Sequence, residues 1–114
     1  MPTPSRSQSF FCASRLFPRR RLDLRARLLA RHATGGDIIV QARTVDVSRG
    51  GAALTLTREL PSGALVVLCL RLPGSGATLC VRAVIVRRQG FRVGVQFLQP
   101  NAEQRLLLSE LCYA

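Results

Sequence analysis

Between Leu22 and Gln99 apolar residues recur at every second position, in short runs separated by turns that carry glycine or proline. That period belongs to half-buried β-strands and leaves little room for helix. Leu22, Leu24, Ala26 and Leu28 fall on one face, with Asp23, Arg25 and Arg27 on the other. Thr34-Gly35-Gly36-Asp37 then marks a turn. Ile38 to Val47 is β-branched; alternation puts Ile39, Val45 and Val47 on one face and Thr44 and Asp46 opposite. Ala53 to Thr57 resumes with Leu54 and Leu56 inward and Thr55 and Thr57 outward. Leu65 to Leu72 is a continuous apolar run, short enough for a buried strand, set between Pro61-Ser62-Gly63 and Pro73-Gly74-Ser75-Gly76. Thr78 to Arg88 alternates Leu79, Val81, Ala83 and Ile85 against Cys80 and Arg82. Gln89-Gly90 reads as a hairpin turn into Phe91, Val93, Val95 and Phe97, all on the expected core face. Six such strands with short connections predict an all-β domain, a small antiparallel barrel or sandwich.

Pro100 ends the strand pattern, and Asn101 with Gln104 has the spacing of a capping box. Leu107, Leu108 and Leu111 share one face of the helix that follows, over residues 101–112. Such a helix covers an open end of a barrel, or docks onto a partner. At the other end, residues 1–14 are rich in Pro, Ser and Arg, a disorder-prone composition. At 114 residues, about half of them hydrophobic, the chain can form one domain with its own core.

The formal net charge is +11, and all 17 cations are arginines. Arginine is a planar fork of donors suited to phosphates and guanine edges, although a solubilising surface gives the same composition. Cys12, Cys69, Cys80 and Cys112 lack the close spacing of a zinc or redox motif, and the single histidine, His32, has no ligating neighbours. The expectation is four reduced thiols, no metal and a cytoplasmic protein. No apolar run reaches the ~18 residues of a membrane span. Phe10-Phe11-Cys12-Ala13 is too short for a signal-peptide core.

Two stretches carry chemistry. In Asp46-Val47-Ser48-Arg49-Gly50-Gly51 the alternation puts the Asp46 and Ser48 side chains on one strand face, and the glycines allow a tight turn with uncovered backbone. A carboxylate, a hydroxyl and backbone amides at a strand end can hold a polar ligand. Upstream, Arg15-Leu16-Phe17-Pro18-Arg19 supplies cations, and Pro18 biases Phe17 toward an extended conformation. If extended, the chain places Arg15 and Arg19 about 13 Å apart on one side, within reach of different edges of a bulky anion.

Arg15-x-x-x-Arg19 before the first strand and Asp46-x-Ser48-x-x-Gly51 after the second resemble the paired signature of PilZ domains. Phe17-Pro18-Arg19 leading into Leu22-Asp23-Leu24, and Arg92-Val93-Gly94-Val95-Gln96-Phe97 as last strand, resemble the same family. The resemblance covers Arg15 to about Gln99. It implies a six-stranded antiparallel barrel over residues 22–99, with a flexible N-terminal arginine arm (15–21) and one C-terminal helix. It also implies a receptor for cyclic di-GMP with no catalytic role and no cofactor beyond that ligand. Arg15 and Arg19 would contact phosphates and guanine; Asp46, Ser48 and Gly51 would hold guanine from the barrel. Arg20, Arg49 and Gly50 are further candidates, and Arg21 belongs to the same basic run. One bound ligand or an intercalated pair is open, as is a monomer or weak homodimer. The output would pass through a protein partner, in motility, polysaccharide export or transcription, with the terminal helix and the N-terminal tail as places to meet it.

Other classes fit less well. A nucleic-acid-binding barrel suits the charge, but with 5 Phe and 1 Tyr the strands are poor in stacking platforms, so no DNA partner is expected. Ser48 has no base in sequence to activate it, which argues against an enzyme. A PilZ-like module that only binds proteins is the remaining alternative.

Overall fold

A computed structural model of the chain describes residues 19–31 and 35–113. The strands are β1 (Arg20–Arg21), β2 (Arg25–Arg31), β3 (Asp37–Val47), β4 (Gly51–Leu56), β5 (Leu65–Arg71), β6 (Thr78–Gln89) and β7 (Arg92–Phe97); helix α1 (Ala102–Tyr113) follows. All described pairings are antiparallel. The order β3-β2-β5-β6-β7-β4 returns to β3 through a β3–β4 ladder, so six strands close a barrel. Closure leaves no long unpaired edge. The two-residue β1 pairs with the end of β3, Arg20 opposite Val47 and Arg21 opposite Asp46, in line with β2.

The core is filled by the inward positions of every barrel strand. Leu28, Val40, Leu54, Leu68, Leu70, Ile85 and Val95 are each fully buried. Helix α1 covers one barrel end: Leu108, Leu111 and Cys112 join the same cluster, with Leu107 packed at its margin. The capping box forms in both directions, since Gln104 N donates to Asn101 Oδ1 at 2.8 Å and Asn101 N to Gln104 Oε1 at 2.8 Å. Gln104 Nε2 also donates to the Cys80 carbonyl, 2.7 Å away, which ties the helix start to β6.

Three expectations from the alternation change. First, the inward face of β3 is Val40, Ala42 and Thr44, while Ile39 is 54% exposed. A β-bulge at Val45, between Thr44 and Asp46, resets the phase, so Val47 points inward but the residues before the bulge run opposite to a strict count back from it. Opposite this bulge the first strand is interrupted at 22–24. There the buried Thr44 Oγ1 accepts from Leu24 N at 2.8 Å and donates to the Leu22 carbonyl, replacing ladder bonds with side-chain ones.

Second, Phe91 does not lie on the core face. It is 51% exposed in the two-residue turn Gly90-Phe91, where Gly90 has a φ of 63°. That is the positive φ a type II′ hairpin asks of its first turn residue.

Third, Cys69 and Cys80 are joined by a disulfide and are not free thiols. They sit directly opposite each other on β5 and β6, on the outer barrel face. Their separation in sequence hides a partnership that the register creates.

Candidate functional site

The bulge at Val45 has a counterpart in β6, where the ladder shifts between Ile85 and Arg87. Each bulge re-aims the residue that follows it, which alternation alone would not do. Asp46 on β3 is paired with Ala53 on β4, Ala53 with Gly94 on β7, and Gly94 with Arg87 on β6. This row crosses the outer face of the barrel with an acid at one end, a cation at the other and two small residues between. With neighbouring strands about 4.8 Å apart, the ends of the row stand roughly 14 Å apart. Ala53 and Gly94 form the floor of an open groove of about 240 Å³, lined further by Arg19, Ser48, Gly51, Gln89 and Arg92.

Arg19 brackets the Asp46 end. Its Nη2 lies 3.3 Å from each Asp46 carboxylate oxygen, a single nitrogen shared by two acceptors rather than a fork on a fork. The pair is partly open to water, with the arginine side chain 39% exposed. Such pairs contribute roughly 0–1 kcal/mol, so a ligand can exchange into either half at little cost. A carboxylate released from Arg19 can accept two parallel N–H donors, the pattern on guanine's Watson–Crick edge. The freed guanidinium can take a phosphate or the acceptor edge of a base. With Arg19, Arg87 and Arg92 against Asp46, the groove has an excess of cations.

Ser48 stands at the groove but is only 2% exposed. Its Oγ accepts from Gly50 N and Gly51 N, both at 3.2 Å, and donates to the Gly51 carbonyl at 3.3 Å. Ser48 N donates to the same carbonyl at 2.8 Å. The amides that the sequence leaves uncovered are therefore taken up inside the turn. Gly51 is required by close approach, since a Cβ there would lie 2.2 Å from the Val95 carbonyl oxygen of β7. The motif thus builds the turn that presents Asp46, with β7 pressed against it.

The other cations of the run point elsewhere. Arg20 Nη1 donates to the Leu111 carbonyl at 3.0 Å, at the C-terminal end of α1, where a cation meets the negative end of the helix dipole. Neither Arg20 nor Arg49 lines the groove. Both approach Cys112, whose thiol is pushed up chiefly by burial, with the two cations opposing. At neutral pH it therefore stays a neutral thiol. Arg15, with the tail 1–14, the arm residues 15–18 and His32, lies outside the described residues. Sequence reasoning had missed Ala53, Arg87, Gln89, Arg92 and Gly94 as groove residues. Ala53 and Gly94 show in the sequence only as small residues at outward positions, and the bulges that align the row leave no mark in the alternation.

The sequence matches the profile of the PilZ domain over residues 13–114. The chain belongs to the PilZ domain family. Solved PilZ structures share its architecture. The PilZ domain of CeSA from a cellulose-synthesizing bacterium is 26% identical, with 83% of this chain and 94% of that one covered and a TM-score of 0.64. The PilZ domain of YcgR from Escherichia coli, solved with c-di-GMP, is 15% identical, with 85% and 87% covered and a TM-score of 0.68. The Bacillus subtilis inhibitor of motility MotI/DgrA is 21% identical, with a TM-score of 0.65; the match takes in 84% of this chain and 47% of that one. At these last two identities the likeness is one of fold. No curated protein matches the sequence. Among the described residues no group of His, Cys, Asp or Glu could hold a metal ion, and no helix is long and apolar enough to cross a membrane.

Proposed function

We propose that this PilZ domain is a receptor for cyclic di-GMP. The observation that carries the reading is the row Asp46–Ala53–Gly94–Arg87, a flat-floored groove with a carboxylate and cations at its ends. One guanine lies on Ala53 and Gly94 and presents its N1–H and N2–H donors to Asp46. Arg19 exchanges its carboxylate for a phosphate or the second guanine, and Arg87 and Arg92 add positive field from the far wall. The groove, about 240 Å³, is below the ~300–1,000 Å³ of pockets that enclose a drug-sized ligand. It takes part of the dinucleotide, and Arg15 and the rest of the segment before Arg19 cover the remainder.

The protein acts by binding rather than catalysis. The Ser48 hydroxyl is buried and committed to its own turn, so it is not available as a nucleophile. Ligand bound more tightly to the covered state shifts the population toward it, and the altered surface is what a protein partner in the cytoplasm reads.

Calorimetric titration of cyclic di-GMP into the protein tests the reading. Micromolar or tighter binding is expected in the wild type, lost in Asp46→Ala and strongly weakened in Arg15→Ala and Arg19→Ala. The stoichiometry distinguishes one ligand from an intercalated pair. No heat at saturating ligand, from a protein with intact β-sheet circular dichroism, would overturn it and leave a barrel that only binds proteins.

A further inference from the structure

A second functional surface lies on the wall formed by β2 and β5, apart from the groove and sharing none of its lining residues. Its outward positions divide into two zones along the strands. Toward the start of β2 and the end of β5 stand Arg25, Arg27 and Arg71, around a hollow of about 270 Å³ that also includes Gln41 and Thr78. Ala26 pairs with Leu70, which sets Arg25 beside Arg71 on adjoining strands. Like charges so placed oppose folding. Among the described residues the guanidinium groups of these three arginines and of Arg82 form no hydrogen bond or ion pair. The acids of this wall are engaged elsewhere, Asp23 by Arg43 at 2.7 Å and Asp37 by Arg31 at 3.7 Å.

Further along the same strands the surface turns aliphatic. Ile39, Leu29 and Val67 form one continuous row across β3, β2 and β5. Ile39 is 54% exposed and Leu29 36%; beside them Leu65 is 68% exposed. Leu29, Leu65, Val67 and Leu98 line a shallow hollow of about 530 Å³, together with the Cys69–Cys80 bridge, Arg82 and the Arg31–Asp37 pair. Exposed apolar patches rimmed by charge mark interaction sites.

We propose that this wall docks a protein segment with acidic residues at one end and aliphatic ones at the other. Charge complementarity fixes the first half: acids two residues apart on an extended segment are spaced like Arg25 and Arg27, about 6.6 Å at ~3.3 Å per residue. The aliphatic zone fixes the second, and separates a protein from a nucleic acid, which would call for aromatic stacking platforms rather than Leu, Ile and Val. A second copy of this chain is disfavoured, since an antiparallel self-pairing would set the unpaired arginines on the partner's aliphatic zone. Strands β2 and β5 are hydrogen-bonded on both sides, so the segment lies across side chains and does not extend the sheet.

A random-peptide display library panned on the full protein without nucleotide, and counter-selected on an Arg27→Glu/Arg71→Glu variant, tests this. Enriched peptides are expected to carry acids at one end and Leu, Ile or Val at the other. Their fluorescence-polarisation affinity is expected to fall about tenfold or more in that variant and in Leu29→Ser/Leu65→Ser. A peptide with its acids changed to lysine is expected to bind the charge-reversed variant better than the wild type. Thermal melting and cyclic di-GMP titration of each variant separate a lost surface from a lost fold or a lost groove. Enrichment of peptides without acids, or none above the variant, would overturn the proposal. So would tighter Arg27-dependent binding of a single-stranded oligonucleotide than of any selected peptide, or self-association abolished by Leu65→Ser.

Discussion

At the scale of single residues, the motif around Asp46 is mostly a device for holding backbone. Gly51 sits where β4 and β7 approach so closely that no side chain fits, the nearest obstacle being a carbonyl oxygen that cannot swing away. Gly51→Ala is therefore expected to cost about 2–3 kcal/mol, or more where β7 must move, seen as a lower midpoint in urea unfolding. A stability equal to wild type would mean that β4 and β7 stand further apart. Thr44 does comparable work at the first bulge. Thr44→Val keeps the shape but leaves the Leu24 amide and Leu22 carbonyl without their partner. The expected loss is about 1–3 kcal/mol in the same assay. Backbone exchange at Leu24 should speed up in that variant, and unchanged protection there would show that water replaces the hydroxyl.

At the scale of elements, α1 was legible because each of its signals is local. The reciprocal bonds between Asn101 and Gln104 satisfy amides that a helix start leaves open. Asn101→Ala is expected to lower stability by about 1 kcal/mol in chemical denaturation. The variant should leave cyclic di-GMP titration unchanged, because the cap stands apart from the groove residues. The strands were legible wherever a single phase ran from end to end, as in β2, β5 and β7, and in β6 as far as its own bulge. They were misread at Ile39 and Thr44, because Val45 breaks the phase without any glycine or proline to announce it. The Cys69–Cys80 bridge escaped for a related reason: the register of β5 on β6, and not the sequence separation, makes the two residues neighbours.

At the scale of the whole molecule, closure of the barrel is what makes the groove. Asp46, Ala53, Gly94 and Arg87 come from four strands, and they form one row only because β4 bridges β3 and β7. A larger side chain on the floor should fill it. Ala53→Leu is expected to weaken cyclic di-GMP binding by about a hundredfold, a loss of about 2.8 kcal/mol at ~1.4 kcal/mol per tenfold. Its thermal midpoint should move little, because Ala53 is only half-buried and points outward. Retained affinity in Ala53→Leu would place the base elsewhere on the barrel.

The chain by itself determined an all-β domain with a terminal helix, and placed Asp46 and Arg19 in stretches fit to hold an anion with hydrogen-bonding edges. Those features rest on alternation, turn residues and caps, which act between residues close in sequence. Tertiary structure decided the strand phases around the bulges, the disulfide and the commitment of Ser48 to its turn. It also decided the arrival of Arg87, Arg92 and Gly94 beside Asp46. Each of these depends on strand register, which is set by the packing of distant segments around one core and has no local code.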